Sequence, residues 1–387
     1  MIKIQDKTNC SGCHACAQIC PKQCITMRPD EEGFLYPVVD ADLCIECGLC
    51  EKSCPIYHPL TNEKTEKDIT AYAAINRDDE IRAESSSGGV FSLIAFHVIE
   101  RGGVVFGAAF DEHFQVEHQY TETKEGIAAF RGSKYVQSRI GDSYRKAEVF
   151  LKAGRLVLFT GTPCQIGGLL AYLKKDYPNL ITQDIICHGV VSPKIWDQYV
   201  RYREAKSGEK TRSVVFRHKQ SGWKTYSVFF EFSNHTEYRK MHLEDPYMKA
   251  FLRNLSLRPS CYSCSFKSKI RKSDITLADF WGIQNVVSKM DDDKGCSLLF
   301  INSPKGQRVL DDVEKEIRDS LQVNIEQAMS YNTAMTESVS KPPNRDAFFK
   351  AADFSDWDAL EKEFLRVPLL KKILIKGKSI LKRILKG

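Results

Sequence analysis

Cys10-Ser-Gly-Cys13-His-Ala-Cys16-Ala-Gln-Ile-Cys20-Pro21 is followed by Cys44-Ile-Glu-Cys47-Gly-Leu-Cys50-Glu-Lys-Ser-Cys54-Pro55, and both runs obey C-x2-C-x2-C-x3-C-P. Each cysteine of the first run recurs 34 residues later, so the stretch is an internal duplication. Three closely spaced thiolates wrap one corner of an iron–sulfur cubane, while the fourth, stiffened by its proline, reaches back to the other cubane. The spacing therefore predicts two [4Fe–4S] clusters with crossed ligands. Cys10, Cys13, Cys16 and Cys54 hold one, and Cys44, Cys47, Cys50 and Cys20 hold the other.

Other readings of these cysteines fit less well. The C-x-x-C-H pattern of c-type haem attachment occurs at Cys10 to His14, but haem would leave the other six cysteines of the duplication idle and would require export. Zinc sites lack the x3-C-P ending, and disulfides need an oxidising compartment. Residues 1–58 resemble bacterial-type two-cluster ferredoxin modules, and the polar residues 59–69 read as a linker. Cys24 falls outside the repeat and reads as a small buried apolar residue rather than a ligand.

The module uses only about 60 of 387 residues, so a larger body with its own core is attached to the clusters. The opening Met-Ile-Lys-Ile-Gln-Asp lacks a basic-then-apolar leader, and no run of about 18 apolar residues occurs, which predicts a cytoplasmic location. Fourteen cysteines in a reducing compartment argue for metal ligation. The net charge is +6, yet eight Lys and Arg and no acid lie between Arg366 and the end. The rest is close to neutral, which argues against a broad phosphate-binding face, and no nucleic-acid partner is expected. In that tail apolar residues from Leu369 to Leu385 recur at helical spacing opposite the lysines. A basic amphipathic helix of this kind suits either peripheral contact with an anionic membrane or docking on its own domain or a partner.

Beyond the linker the pattern turns α/β. Strands are expected at 71–75, 104–110, 115–121, 156–159 and 181–186, with helices at 89–100, 142–153, 165–174 and 193–203. Strands near 213–216, 227–232 and 275–278 look like a second α+β portion, and 298–301 reads as a further strand. The expected fold class is α+β: a ferredoxin-like module, then a mixed α/β domain in two parts, 70–205 and 206–340, then a helical tail at 341–387. Ligands of such sheets sit at the carboxyl ends of the strands.

Two strand-to-helix turns carry chemistry. Ser85-Ser86-Ser87-Gly88-Gly89 opens a helix, and small residues with backbone N–H groups there form either an anion site, suited to a flavin phosphate, or an ordinary cap. Thr160-Gly161-Thr162-Pro163-Cys164 places a cysteine at a helix start, where the dipole favours thiolate. Cys187, within Cys187-His188-Gly189, ends a strand, and Cys261-Tyr-Ser-Cys264 precedes the segment 274–282. These four thiols make a candidate third [4Fe–4S] site. Buried structural cysteines, a zinc site and a Cys164 nucleophile paired with His188 are the alternatives. Cys296 reads as core.

From Ala71 to about Phe300, Ser-Ser-Ser-Gly-Gly-Val, Arg131-Gly-Ser-Lys134-Tyr135-Val-Gln137-Ser138, Gly161-Thr-Pro-Cys164-Gln, Cys187-His-Gly, Cys261-x2-Cys264 and Leu277-Ala-Asp279-Phe-Trp-Gly282 resemble the β subunit of coenzyme F420 hydrogenase/dehydrogenase. The resemblance covers roughly three-fifths of the chain. It implies a flavin, FAD rather than FMN, beside a [4Fe–4S] cluster, with hydride exchange with a reduced deazaflavin F420 or another small-molecule substrate. Ser86, Ser87, Gly88, Gly89, Lys134, Thr160, Gly161 and Thr162 are then the cofactor-binding candidates. Lys134 and Asp279 are the catalytic candidates, with Trp281 beside the substrate. The implied function is an iron–sulfur flavoprotein oxidoreductase that couples hydride transfer to single-electron flow and exchanges electrons with a donor or acceptor protein. The competing reading is an electron-transfer adaptor without chemistry of its own.

Overall fold

Runs rich in β-branched and aromatic residues build strands that a sheet buries on both faces. The computed structural model describes residues 1–61 and 65–366, so the basic tail and the middle of the linker lie outside the described residues. The strands are β1 (Ile25–Pro29), β2 (Leu35–Val39), β3 (Thr70–Asn76), β4 (Val104–Phe110), β5 (Val116–Thr121), β6 (Val157–Thr160), β7 (Leu180–Ile185), β8 (Thr211–His218), β9 (Ser227–Phe232), β10 (Glu237–Met241), β11 (Ile275–Asp279), β12 (Ser297–Ile301) and β13 (Ile317–Val323). Every strand expected from the sequence is present within two residues at each end.

Eight strands form the main sheet in the order β13-β3-β12-β11-β7-β6-β4-β5. β4, β6, β7 and β11 are parallel neighbours. β12 runs antiparallel to both β11 and β3, so β3 points the same way as the parallel set. Five strands therefore present their carboxyl ends at one edge. Period-two alternation divides the core. Val105, Leu158 and Ile181 face helices Val90–Glu100 and Pro304–Val313, whereas Val104, Phe106, Val157 and Phe159 face helices Ser143–Lys152 and Pro163–Leu173.

One expectation is corrected here. β11 does not belong to a second α+β portion, because it pairs in parallel with β7 through Ile275 opposite Gln183. β1 and β2 pair antiparallel in the N-terminal module, while of the second portion's strands β8 and β9 leave the main sheet and join β10 in a three-stranded antiparallel sheet. That sheet packs with helices Pro193–Ser207 and Pro246–Leu252 around Trp196, Tyr199, Phe216, Phe230 and Tyr247. Beyond residue 341 the described chain is helical at Arg345–Ala352 and Trp357–Leu360.

In the N-terminal module the duplication extends to the backbone. Gly12 and Glu46, 34 residues apart, both adopt φ near the left-handed region (68° and 52°), and so do His14 and Gly48 (64° and 69°). The glycine falls at opposite members of the two pairs for a packing reason. A Cβ on Gly12 would lie 2.8 Å from Gln137 Nε2 and 2.9 Å from Arg258 Nη1, whereas Glu46 is exposed. The first repeat thus leans on the large domain and the second faces outward.

The module is held by buried polar contacts. Arg345 donates two bonds, of 2.7 and 2.6 Å, to the Glu32 carboxylate. Gln18 Oε1 accepts from the Tyr144 and Arg145 amides at 3.0 and 3.2 Å. Gly168 admits close helix contact, since a Cβ there would meet Cys13 Cβ at 2.8 Å.

Candidate iron–sulfur and cofactor sites

Three cavities collect twelve of the cysteines that the sequence singled out. Cys10, Cys13, Cys16 and Cys54 line one of about 330 Å³ with Ile2, Met27 and Ile56. Cys20, Cys44, Cys47 and Cys50 line another of about 350 Å³. The fourth cysteine of each run therefore does join the other run's three. Burial, reinforced by the charges of Cys10 and Cys54, pushes the Cys13 thiol up to about 12. Such a set becomes thiolate only against a strong positive charge, which iron supplies. Cys24 is buried as expected, but its sulfur turns into the second cavity, 3.3 Å from Cys20 Sγ.

The carboxyl edge of the main sheet builds the third cavity. Helix Pro163–Leu173 starts on a capping box in which Gln165 Oε1 accepts from the Thr162 amide at 2.9 Å, and this fixes Cys164 after β6. Cys187 follows β7, while Cys261 and Cys264 come from the turn Pro259–Ser263 and its end. All four line a cavity of about 580 Å³ with His188, Arg258, Lys267 and Arg271. Thr8, Ser11 and Ile56 of the N-terminal module close it from the other side. Among the described residues no group of three or more His, Cys, Asp or Glu side chains is drawn tightly enough to hold a single metal ion. Four thiolates on one zinc stand only roughly 3.8 Å apart, given Zn–S bonds near 2.3 Å, whereas a cubane spreads its ligands farther.

Without metal, a thiolate at Cys164 is opposed by its surroundings. Burial, with the charges of Cys264 and Cys187, drives that thiol far above its ordinary range despite the helix start. Burial likewise pushes Cys187 and Cys261 up to about 12. Cys164 Sγ lies 3.1 Å from Thr162 Oγ1, and His188 Nε2 pairs with Asn254 Oδ1 at 2.7 Å, so cysteine and histidine do not form a nucleophilic pair.

At residues 85–89 packing accounts for much of the composition. Ser86 Oγ accepts the Ser133 amide at 2.7 Å, Ser87 Oγ donates to Cys296 O at 2.7 Å, and the Gly88 amide donates to Ser297 Oγ at 3.0 Å. Gly89 caps helix Val90–Glu100 at φ +84°. A Cβ on Gly88 would sit 2.5 Å from Ala74 O and 2.6 Å from Ser297 N, between β3 and β12. Gly88→Ala is therefore expected to destabilise the fold by about 2 kcal/mol or more, read as a lower urea midpoint. Wild-type stability in that variant would contradict the close approach.

Cations gather around this turn. Lys134 Nζ donates to Arg131 O and Gly132 O at 3.2 and 3.4 Å, and burial lowers its pKa to about 7. Lys219, which the sequence did not single out, donates to Ser87 O at 3.2 Å, and burial with the charge of Arg82 lowers it to about 7 as well. Trp223 Nε1 donates to Ser86 O at 3.1 Å and stacks on Trp281 with centroids 4.7 Å apart. Asp279 is ion-paired with the buried Arg217, whose guanidinium lies 5.3 Å from the Trp281 ring. Thr160, Gly161 and Thr162 lie elsewhere along the carboxyl edge from the Ser85–Gly89 turn. They follow β6, which β12, β11 and β7 separate from β3. Thr160 Oγ1 is bonded to Phe106 O at 2.9 Å and the Gly161 amide to Gln183 O at 3.1 Å.

A two-run iron–sulfur module set on the carboxyl edge of a mixed α/β domain defines a fused electron-transfer chain, and comparison with known proteins gives its lineage. Residues 9–57 match the 4Fe-4S dicluster domain. Residues 71–143 and 154–324 match the N-terminal and C-terminal models of the coenzyme F420 hydrogenase/dehydrogenase β subunit, and the chain belongs to that family. One of the subunits of the F(420)H(2) dehydrogenase of Methanosarcina mazei is 24% identical over 165 residues, 40% of this chain and 46% of that protein. The chain thus spans about half the length of that relative. A 7Fe ferredoxin of Hydrogenibacillus schlegelii is 33% identical over 64 residues, 16% of this chain and 76% of the ferredoxin. A chain of the F420-reducing [NiFe] hydrogenase complex from Methanosarcina barkeri aligns at a TM-score of 0.46 and 21% identity, over 79% of this chain and 92% of that one. The protein is an iron–sulfur electron-transfer chain of this family, with [4Fe–4S] clusters in its N-terminal module.

Proposed function

We propose that the chain is a flavin-dependent iron–sulfur oxidoreductase that takes or gives hydride at one end and single electrons at the other. The observation that carries the reading is the third cavity. Four cysteines scattered over a hundred residues of sequence meet there, against the module that holds the first two clusters. A third [4Fe–4S] cluster fits them, because Lys267 and Arg258 line the cavity and supply positive charge beside a dianionic group. Flavin, when bound, exchanges two electrons as hydride and releases them one at a time.

This chain's own groups then have definable tasks. The Lys134 ammonium, which among the described residues has no carboxylate within ion-pair distance, is suited to negative charge on a flavin or its phosphates. Asp279 holds Arg217 against Trp281, and the stacked Trp223 and Trp281 form an apolar wall between the Ser86 turn and that ion pair. The hydride carrier in this reading is reduced F420 or another reducible small molecule. Electrons pass to a partner protein at the second cluster, where Cys47 is exposed and Leu43 and Ile45 are each 57% exposed. Among the described residues no helix is long and apolar enough to cross a membrane.

The test uses full-length protein purified without oxygen, which is expected to hold about twelve iron atoms and one flavin. Cys187→Ala should keep the flavin and about eight of the irons. Reduced F420 or NADPH should bleach the flavin. Eight irons in the wild type would remove the third cluster, and three clusters without flavin would favour the adaptor.

A further inference from the structure

Among the described residues six arginines are buried, and five of them have a carboxylate close by. Arg82 pairs with Asp292, Arg217 with Asp279, Arg271 with Asp184 and Arg345 with Glu32. Arg203 lies in the field of Asp245. Arg258 differs. It is 0% exposed and, among the described residues, has no carboxylate within ion-pair distance. Its Nε donates to Cys10 O at 2.8 Å, Nη1 to Gln137 Oε1 at 2.9 Å and Nη2 to Leu35 O at 3.0 Å. Nη2 also lies 3.5 Å from Cys10 Sγ. The guanidinium stacks over the Tyr36 ring at 4.3 Å and lines the third cavity beside Cys261.

A buried charge without a counter-ion is costly, and neutral carbonyls offset only part of that cost. Arg258 lines the third cavity, and its direct contacts with a cluster ligand, at the carbonyl and sulfur of Cys10, tie it to the first cluster. Its Cys ligands and iron together carry net negative charge, and one-electron reduction adds one more.

We propose that Arg258 is the fixed counter-charge of the cluster held by Cys10, Cys13, Cys16 and Cys54, and that it raises the reduction potential of this cluster above that of the outer one. Positive charge and a hydrogen bond to a ligand sulfur both favour the reduced, more negative state. At the outer site of Cys20, Cys44, Cys47 and Cys50 the recorded donor to a ligand sulfur is a neutral one, the Ile2 amide 3.3 Å from Cys50 Sγ, and no arginine is among the lining residues, which include Lys22 and Met1. Electrons would then rest on the inner cluster, next to the four-cysteine cavity, rather than at the exposed end. The claim about the first cluster needs only the N-terminal module; its meaning for the third cavity rests on the function proposed above. An iron count that fails to show a third cluster leaves the potential test intact.

The experiment is an anaerobic redox titration of the full chain followed by electron paramagnetic resonance, comparing wild type, Arg258→Met and Arg258→Lys. The Met variant should lower the inner cluster's reduction equilibrium at least tenfold, about 59 mV for one electron, while the outer cluster stays in place. The Lys variant keeps the charge and should stay within a few-fold of wild type. An unmoved inner potential in the Met variant overturns the proposal, and so does a Lys variant that falls as far as Met. If the Met variant loses the inner iron, the Lys variant decides: retained iron with a near-normal potential supports the counter-charge, and equal loss of iron refutes it.

Discussion

Cys54→Ala in the full chain is expected to empty the cluster site of Cys10, Cys13 and Cys16, 38 residues or more away in sequence, and to spare that of its neighbours Cys44, Cys47 and Cys50. The reason is geometric. Cys54 lines the first cavity and the second is built without it. Iron should fall by about four atoms, with the magnetic signature of one N-terminal cluster lost and the other unchanged. The reciprocal change, Cys20→Ala, is a weaker test, because Cys24 offers a second sulfur 3.3 Å from the one removed. Cys20→Ala combined with Cys24→Ala restores the symmetry and should remove only the outer cluster. Loss of the cluster adjacent in sequence to Cys54 would refute crossed ligation.

Lys134→Met should stabilise the flavin-free chain while weakening its hold on flavin. In the fold burial lowers Lys134 to about 7, against 10.5 for an ordinary lysine. Below pH 7 the group is charged in both folded and unfolded chains, and the fold bears the whole cost of enclosing the ammonium. Between about pH 7 and 10.5 only the unfolded chain is charged, and the cost shrinks as pH rises. At higher pH it vanishes. The gain from the Met variant should therefore be larger at pH 6 than at pH 9, by about 3 kcal/mol. Urea unfolding at the two pH values measures this difference, and flavin content measures the other half. An equal gain at both, or unaltered flavin, would show that Lys134 is not a buried charge awaiting an anion.

Those two sites differ in how far the residues announce them. Cysteine runs are local: three of each site's four ligands lie within a few residues, and the repeated x3-C-P ending forecasts the crossing of the fourth. The main sheet is legible for a similar reason, since strands such as β4 and β12 are apolar on both faces. Two edge strands, β10 and β13, are not. β10 reads Glu-Tyr-Arg-Lys-Met and β13 is mostly exposed along its length, so neither shows the apolar pattern that marks a strand. Long-range burial is also invisible in one dimension. Nothing near Lys219 or Arg258 in sequence marks them as enclosed cations. The turn at 85–89 carries a mixed lesson. Its glycines answer first to the closeness of β3 and β12, so a charged residue at position 88 would report on packing before it reported on anions.

The position of β3 has a consequence for how the molecule comes into being. Its neighbours in the sheet are β12 and β13, so a strand made near residue 70 waits for residues 297–323 before either edge is paired. All eight ligand thiols of the N-terminal module, by contrast, have been synthesised by residue 54. Arg258 and the last two cysteines of the large cavity arrive more than two hundred residues later. Maturation therefore has a built-in order: iron can be delivered to the module on a nascent chain, and the inner cavity forms only when nearly the whole chain has closed around it. A chain halted between those points is a loaded ferredoxin with a free sheet edge, and it is at that stage that cluster supply and chaperone protection must coincide.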